Sequence, residues 1–195
     1  MFDGGPSGKR EHVVIDERPL RIWWWRAAHG PSAWPRRGAV AVLAFAGFVV
    51  SLNLAFFQYG LVPHVWEPFF GSGSQRVLLS SFSRALPVHD AAVGAAAYLF
   101  ELVLELSGGT ARWRRRPWQV LLLAVTACAM AVTALGLLAL QTFVIHAFCS
   151  LCLVSAAISL SVPALVVGEA LAAARQIRRA RRSGRSWPSA LRGTT

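Results

Sequence analysis

Four long apolar stretches, separated by short polar or Gly/Pro-rich breaks, set the pattern of this chain. The first runs from Ala39 to Tyr59 without a charge, which is enough for a helix across a hydrocarbon core of about 30 Å. Ser51, Asn53 and Gln58 are its polar members and are expected to face other helices or the outer interface. A second stretch covers about 88–107 and carries Glu101 and Glu105, four residues apart and so on one helical face. The third covers about 118–144 and the fourth about 148–170, with Pro163 inside it, which membrane helices tolerate. Gly60–Val88 is a long connection whose turns are marked by Pro63, Pro68, Gly71 and Gly73. Within it, Val77, Leu78, Phe82 and Leu86 fall near helical spacing, predicting a short amphipathic helix over Ser74–Leu86 with Ser72 or Ser74 as its cap.

The expected fold class is all-α: an integral membrane four-helix bundle with a short half-helix in its first outer loop. Residues 39–173 form the membrane domain. The basic, Trp-rich segment 1–38 precedes it and the basic tail 174–195 follows. Arg21-Ile22-Trp23-Trp24-Trp25-Arg26 suits a membrane interface, with indoles at headgroup level. An unstructured tail is the other reading of that segment. Residues 1–38 are too long and too polar before the first apolar run for a cleaved signal peptide.

Composition agrees with the pattern. Of 195 residues, 55% are hydrophobic, and the charges stand in blocks outside the apolar runs, as in membrane proteins. The net charge of +11 would ordinarily raise nucleic acid as a partner. Here the basic residues flank membrane segments instead, where they meet anionic lipid headgroups, so no nucleic-acid role is expected. Seven Lys/Arg precede the first span, four lie between the second and third, and seven follow the fourth. The Gly60–Val88 connection holds only Arg76 and Arg84, and Gln141–Ala147 holds none. The positive-inside rule therefore places both termini in the cytoplasm, in a multi-pass protein of the cell's inner membrane.

Only three cysteines exist, too few for a disulfide scaffold. Cys149 and Cys152, in Phe148-Cys149-Ser150-Leu151-Cys152-Leu153, open the fourth span on the outer side, where the compartment is oxidising. Their spacing lets both sulfurs share one face, and a helix N-terminus favours a thiolate. Cys128 sits beside Ala127 and Ala129 in the third span and reads as buried packing. His146, Cys149 and Cys152 also form an H-x-x-C-x-x-C. Three such ligands could bind zinc or copper, with a fourth required from His64 or His89 for structural zinc. Glu101 and Glu105 read as partners of Arg112 and Arg114–Arg116, with a proton relay as the other option.

The order of spans, the long first loop and the C-x-x-C together resemble the vitamin K epoxide reductase family. Two loop runs strengthen the resemblance to its bacterial branch. They are Trp66-Glu67-Pro68-Phe69-Phe70-Gly71-Ser72-Gly73-Ser74-Gln75-Arg76-Val77-Leu78, and Ser83 to Gly94 leading on to Tyr98. The resemblance covers roughly Val40 to Val167. It implies a quinone-linked thiol oxidoreductase with Cys149 and Cys152 as catalytic residues and a quinone of menaquinone or ubiquinone type as acceptor. Cys152 would face the quinone. Cys149, nearer the surface, would exchange disulfides with a thioredoxin-like thiol partner on the outer side. Asp90 stands where the family offers a polar contact to a quinone carbonyl; a solvated helix cap is the other reading of this residue.

The chain departs from the family in one respect. Active members carry a second cysteine pair in the first outer loop. Here Gly60–Val88 contains no cysteine, and Ser74 stands where the inner shuttle cysteine would be. A serine hydroxyl forms no disulfide, so either a donor reaches Cys149 directly or the quinone–thiol exchange serves another purpose. A redox-inactive membrane scaffold that keeps the fold is the alternative.

Overall fold

The computed structural model describes Gly30, 32–80 and 89–193. The described residues are helical with no strands. The elements are α1 (Trp34–Gln58), α2 (Gly73–Leu78), α3 (Asp90–Leu106), α4 (Arg112–Arg115), α5 (Pro117–Leu140), a π-helical turn (Gln141–Ile145), α6 (Ser150–Arg182) and α7 (Trp187–Arg192). Three of the long helices are long and apolar enough to cross a membrane: α1, α5 with its π-turn, and α6. The seventeen-residue α3 is shorter and carries Asp90, Glu101 and Glu105.

Helix starts follow local chemistry. Pro35 and Pro117 stand in the first turns of α1 and α5, where proline's fixed φ is pre-set for helix and its missing N–H costs nothing. α6 passes through Pro163 without ending and stops at Ser183–Gly184, where Gly184 takes a left-handed φ of 82°. The fourth apolar run was expected to end near residue 170. The helix continues twelve residues further because its Ala- and Arg-rich sequence favours helix after the apolar run has ended. α1 likewise starts five residues before the expected span, at Trp34.

α1 packs against α3 and α6, and α5 against α6 and α3. Val40, Tyr98, Leu123, Ile158 and Val162, from all four long helices, meet in one core. One glycine permits close approach: a Cβ on Gly47 would stand 2.5 Å from the Tyr98 ring. The outward faces are apolar, with Val42 and Phe45 on α1, Val103 on α3, Val132 on α5 and Val167 on α6 all exposed. Lipid rather than water suits such a surface.

At one end of the helices a buried ionic cluster ties the elements together. The Arg112 guanidinium grips Glu169 through Nε (2.6 Å) and Nη2 (2.8 Å) and reaches Glu105 Oε2 at 2.8 Å. Arg37 Nε stands 3.4 Å from Glu105 Oε1. Ser32 donates to Glu169. Arg37 and Arg112 also donate to Glu105 O in the last turn of α3, and Arg37 to Gly108 O just beyond it, satisfying groups that a helix C-terminus leaves open. The expected pairing of Glu105 with Arg112 is present. Glu101 does not share it: fully buried, it has no hydrogen-bond partner on either oxygen among the described residues. Neither Arg37 nor Glu169 was foreseen as a member, because each comes from a helix remote in sequence.

Other expectations changed. Cys128 is exposed on the outer face of α5 rather than packed. The inward positions of that helix are Val120, Leu123, Ala127 and Ala134, and one residue past Ala127 is about 100° round the helix. The loop helix α2 spans Gly73–Leu78, starting one residue before the expected Ser74; Phe82 and Leu86 lie outside the described residues, as does the Trp23–Trp25 segment.

Candidate functional site

The site lies at the opposite end from the ionic cluster, where α1 ends, α3 begins and α6 begins. Cys149 is the N-cap of α6. Its sulfur accepts a hydrogen bond from the Cys152 backbone N–H at 3.2 Å, the place a Ser or Asp side chain ordinarily takes. The two sulfurs also interact directly. Open amides and the positive end of the helix dipole surround Cys149, the setting in which a thiolate is favoured.

The turn before Cys149 is unusual. α5 widens into the π-turn Gln141–Ile145, and His146 then takes a left-handed φ of 51°. Gln141 is buried, and its backbone and side-chain oxygens accept from Ala147 N (3.3 Å) and Cys149 N (3.4 Å). It therefore fixes the approach of the chain to Cys149. Sequence reading saw Gln141 only as the start of a polar break. A glutamine at the end of an apolar run, eight residues before the cysteine, was the available signal.

The loop that follows α1 closes over this cap. The carboxylate of Glu67 accepts from Ser150 N at 3.1 Å, from Phe70 N at 3.3 Å, and from the hydroxyls of Ser150 and Ser74. Ser74 also lies near enough to the Cys149 sulfur to favour its thiolate. Burial opposes ionisation of Glu67, yet these donors outweigh it and hold its carboxyl at about 2, well below the ordinary value. Gly73 lies so close to the Phe148 carbonyl that no Cβ fits without a backbone shift. Phe70 and Phe148 stack at 5.7 Å. Leu78 and Leu54 pack on Cys149 from α2 and α1.

Cys149 is consequently fully buried. This corrects the expectation that it is the more accessible of the pair: the loop, clasped by Glu67, covers it. Cys152, one turn further on, is only partly buried and lines a cavity between the helices. That cavity has a volume of about 90 Å³ and is partly open to the surroundings. Its walls are largely apolar, from Leu54, Leu78, Met130 and Leu137, with Ser51, Asp90, Thr133 and Gln141 as polar points. Asp90 begins α3, lines this cavity, and accepts from Gln58 Nε2 at 2.6 Å. Deeper in, the Tyr98 hydroxyl bonds Ser159 Oγ at 2.7 Å and the Ser155 carbonyl at 2.8 Å.

Among the described residues, no three His, Cys, Asp or Glu side chains converge to hold a metal ion. His146 is exposed beyond the cap, and Cys149 is enclosed on the other side of it.

The sequence profile of the Vitamin K epoxide reductase family matches residues 39–167, which covers all of α1, α3 and α5 but for the first turn of α1, and α6 as far as Val167. The chain belongs to the vitamin K epoxide reductase family. Membership gives it the general character of a multi-pass membrane thiol–disulfide oxidoreductase, in a family associated with quinones. A comparison with curated proteins gave no match. The matched segment contains the Glu67 loop, the Asp90 helix start and Cys149–Cys152, and lies clear of both basic ends.

Proposed function

We propose that the protein is a quinone-linked thiol oxidoreductase of the inner membrane, a four-span bundle with both termini cytoplasmic, in which Cys149 and Cys152 are the catalytic pair. The observation that carries this reading is the division of the two sulfurs. Cys152 lines an apolar cavity between helices, while Cys149 caps α6 under the outer loop.

The cavity fits a quinone head group on three counts. Its walls are apolar, a few polar groups such as Asp90, Thr133 and Gln141 break them, and a redox-competent sulfur opens onto it. A menaquinone or ubiquinone bound there supplies an acceptor for two electrons. Asp90 and Gln141 supply the polar contacts that orient it, and Leu54, Leu78 and Leu137 keep water from the Cys152 sulfur.

The residues of the chain divide the thiol chemistry. A donor thiolate attacks Cys149 Sγ of the Cys149–Cys152 disulfide. The S–S bond breaks and the electron pair passes to Cys152 Sγ. The donor's second thiol then displaces Cys149, which leaves as a thiolate stabilised by the Cys152 N–H and the α6 N-terminus. The dithiol so formed returns to disulfide as its two electrons leave through Cys152. The donor is a thioredoxin-like dithiol protein on the outer side, acting on Cys149 directly because the loop carries no cysteine of its own.

Thiol trapping in purified membranes tests the proposal. Adding oxidised quinone is expected to convert the Cys149–Cys152 dithiol to a disulfide, and Cys152→Ser is expected to abolish the change. A pair whose redox state ignores quinone would sink it.

A further inference from the structure

The outer loop bears a single acidic residue between α1 and Asp90, and that residue has four hydrogen-bond donors on it. Two of the donors belong to Ser150, remote in sequence and adjacent to the reactive cysteine. We propose that Glu67 is a specificity-determining residue. Its carboxylate clasps the loop onto the α6 N-terminus, so that a thiol donor reaches Cys149 only by lifting residues 67–78. The inference rests on the reading of Cys149 as the entry sulfur and adds to it the selection of the donor.

The chemistry of the clasp supports this role. Hydrogen bonds to an ionised acceptor are stronger than neutral ones. The N-terminus of a long helix is a favourable place for an anion. Here the anion comes from the loop and the amide from α6, so the pair fastens one element to the other. Around this polar fastening the contacts are tight. Gly73 abuts the Phe148 carbonyl, and Leu78 packs on Cys149. The fastening is nonetheless non-covalent, at the outer end of the molecule, and its release exposes Cys149 without unfolding the helices.

A small thiol makes too few contacts to offset opening of the loop. A protein donor gains an interface as the loop moves. In the exchange the donor dithiol is oxidised to a disulfide and the Cys149–Cys152 disulfide is reduced to a dithiol, so two electrons and two protons pass between the partners. Glu67 takes no part in bond making; it positions the loop.

The test uses the full chain in detergent micelles, without quinone, so its outcome is independent of whether a quinone binds. In the reduced protein, modification by N-ethylmaleimide is followed residue by residue by peptide mass, on the pH plateau where each thiol is ionised. Glu67→Ala is expected to raise the Cys149 rate by about tenfold or more, the scale of losing a local closure. Ser74→Ala, which removes one of the clasp's donors, is expected to give a smaller rise, and the exposed Cys128 to react alike in every variant. Equal Cys149 rates in wild type and Glu67→Ala would overturn the proposal, as would a parallel rise at Cys128, which would mean general loosening. Should Glu67→Ala not fold, Glu67→Gln keeps the shape with a weaker acceptor and is expected to show a rise of a few fold. In the oxidised protein, wild type is expected to be reduced faster by a thioredoxin-fold dithiol protein than by dithiothreitol at equal thiol concentration. Glu67→Ala is expected to narrow that preference, and an unchanged preference would also overturn the proposal.

Discussion

At the scale of single residues, the site is built from side chains used outside their commonest roles. Cys149 serves as a helix N-cap, a position that keeps its sulfur against backbone amides. Gln141 ends one helix and steadies the start of the next. Glu67, an acid in a largely aromatic and Gly-rich loop, becomes the anion at the α6 N-terminus. Its carboxyl is held at about 2 against an ordinary 4.5, so its contribution to stability is complete above 4.5 and is lost as pH falls towards 2. Glu67→Gln removes that dependence. The gap in melting temperature between wild type and Glu67→Gln is therefore expected to be constant above about pH 4.5 and to close towards pH 2. Melting curves recorded over that range check it, and a gap that persists unchanged to pH 2 would remove Glu67 as the titrating group.

Among the elements, the two ends of the helix assembly are fastened by different chemistry. One end holds Arg37, Glu105, Arg112 and Glu169, all buried and balanced in charge. Breaking such a cluster from one side leaves a charge without its counterpart. Arg112→Ala is expected to destabilise the protein by on the order of 3–5 kcal/mol, read as a lowered thermal midpoint in detergent. Pairing it with Glu169→Gln is expected to recover part of the loss, because one of the stranded carboxylates is then neutral. No recovery in the double variant would show that Arg112 acts chiefly through the α3 carbonyls it also caps. The other end holds the cysteines and is closed by a loop rather than by buried ion pairs. A buried ionic cluster at one end and a loop held by hydrogen bonds at the other suit the proposed entry of a thiol donor at Cys149.

For the whole molecule, charge distribution and the site agree on direction. The buried ionic cluster lies at the end from which the basic segments emerge, and the cysteine pair lies at the other. With both termini cytoplasmic, as proposed, Cys149 and Cys152 stand at the oxidising face. Reporter fusions test this orientation. A reporter active only in the cytoplasm is expected to work when joined after Thr195 and to fail when inserted near Gly60. The reverse result would place the dithiol in the reducing compartment and deprive it of its proposed role.

Much of the architecture was legible because hydrophobic runs and charge blocks act through length and local composition. Three apolar runs became membrane-length helices, and the C-x-x-C at the head of the fourth run became a helix cap with both sulfurs in contact. Side chains whose meaning depends on a partner far along the chain were not legible. Glu67 and Ser150 are eighty-three residues apart, and Arg112 and Glu169 fifty-seven. Period and spacing carry no information about such pairs, which exist only once the helices pack. For the same reason the sequence could order Cys149 and Cys152 along a helix but not say which is accessible. Helix position alone favours Cys149. The folded loop reverses that order, because Glu67 draws α2 over the cap while the gap between the helices leaves Cys152 facing the cavity.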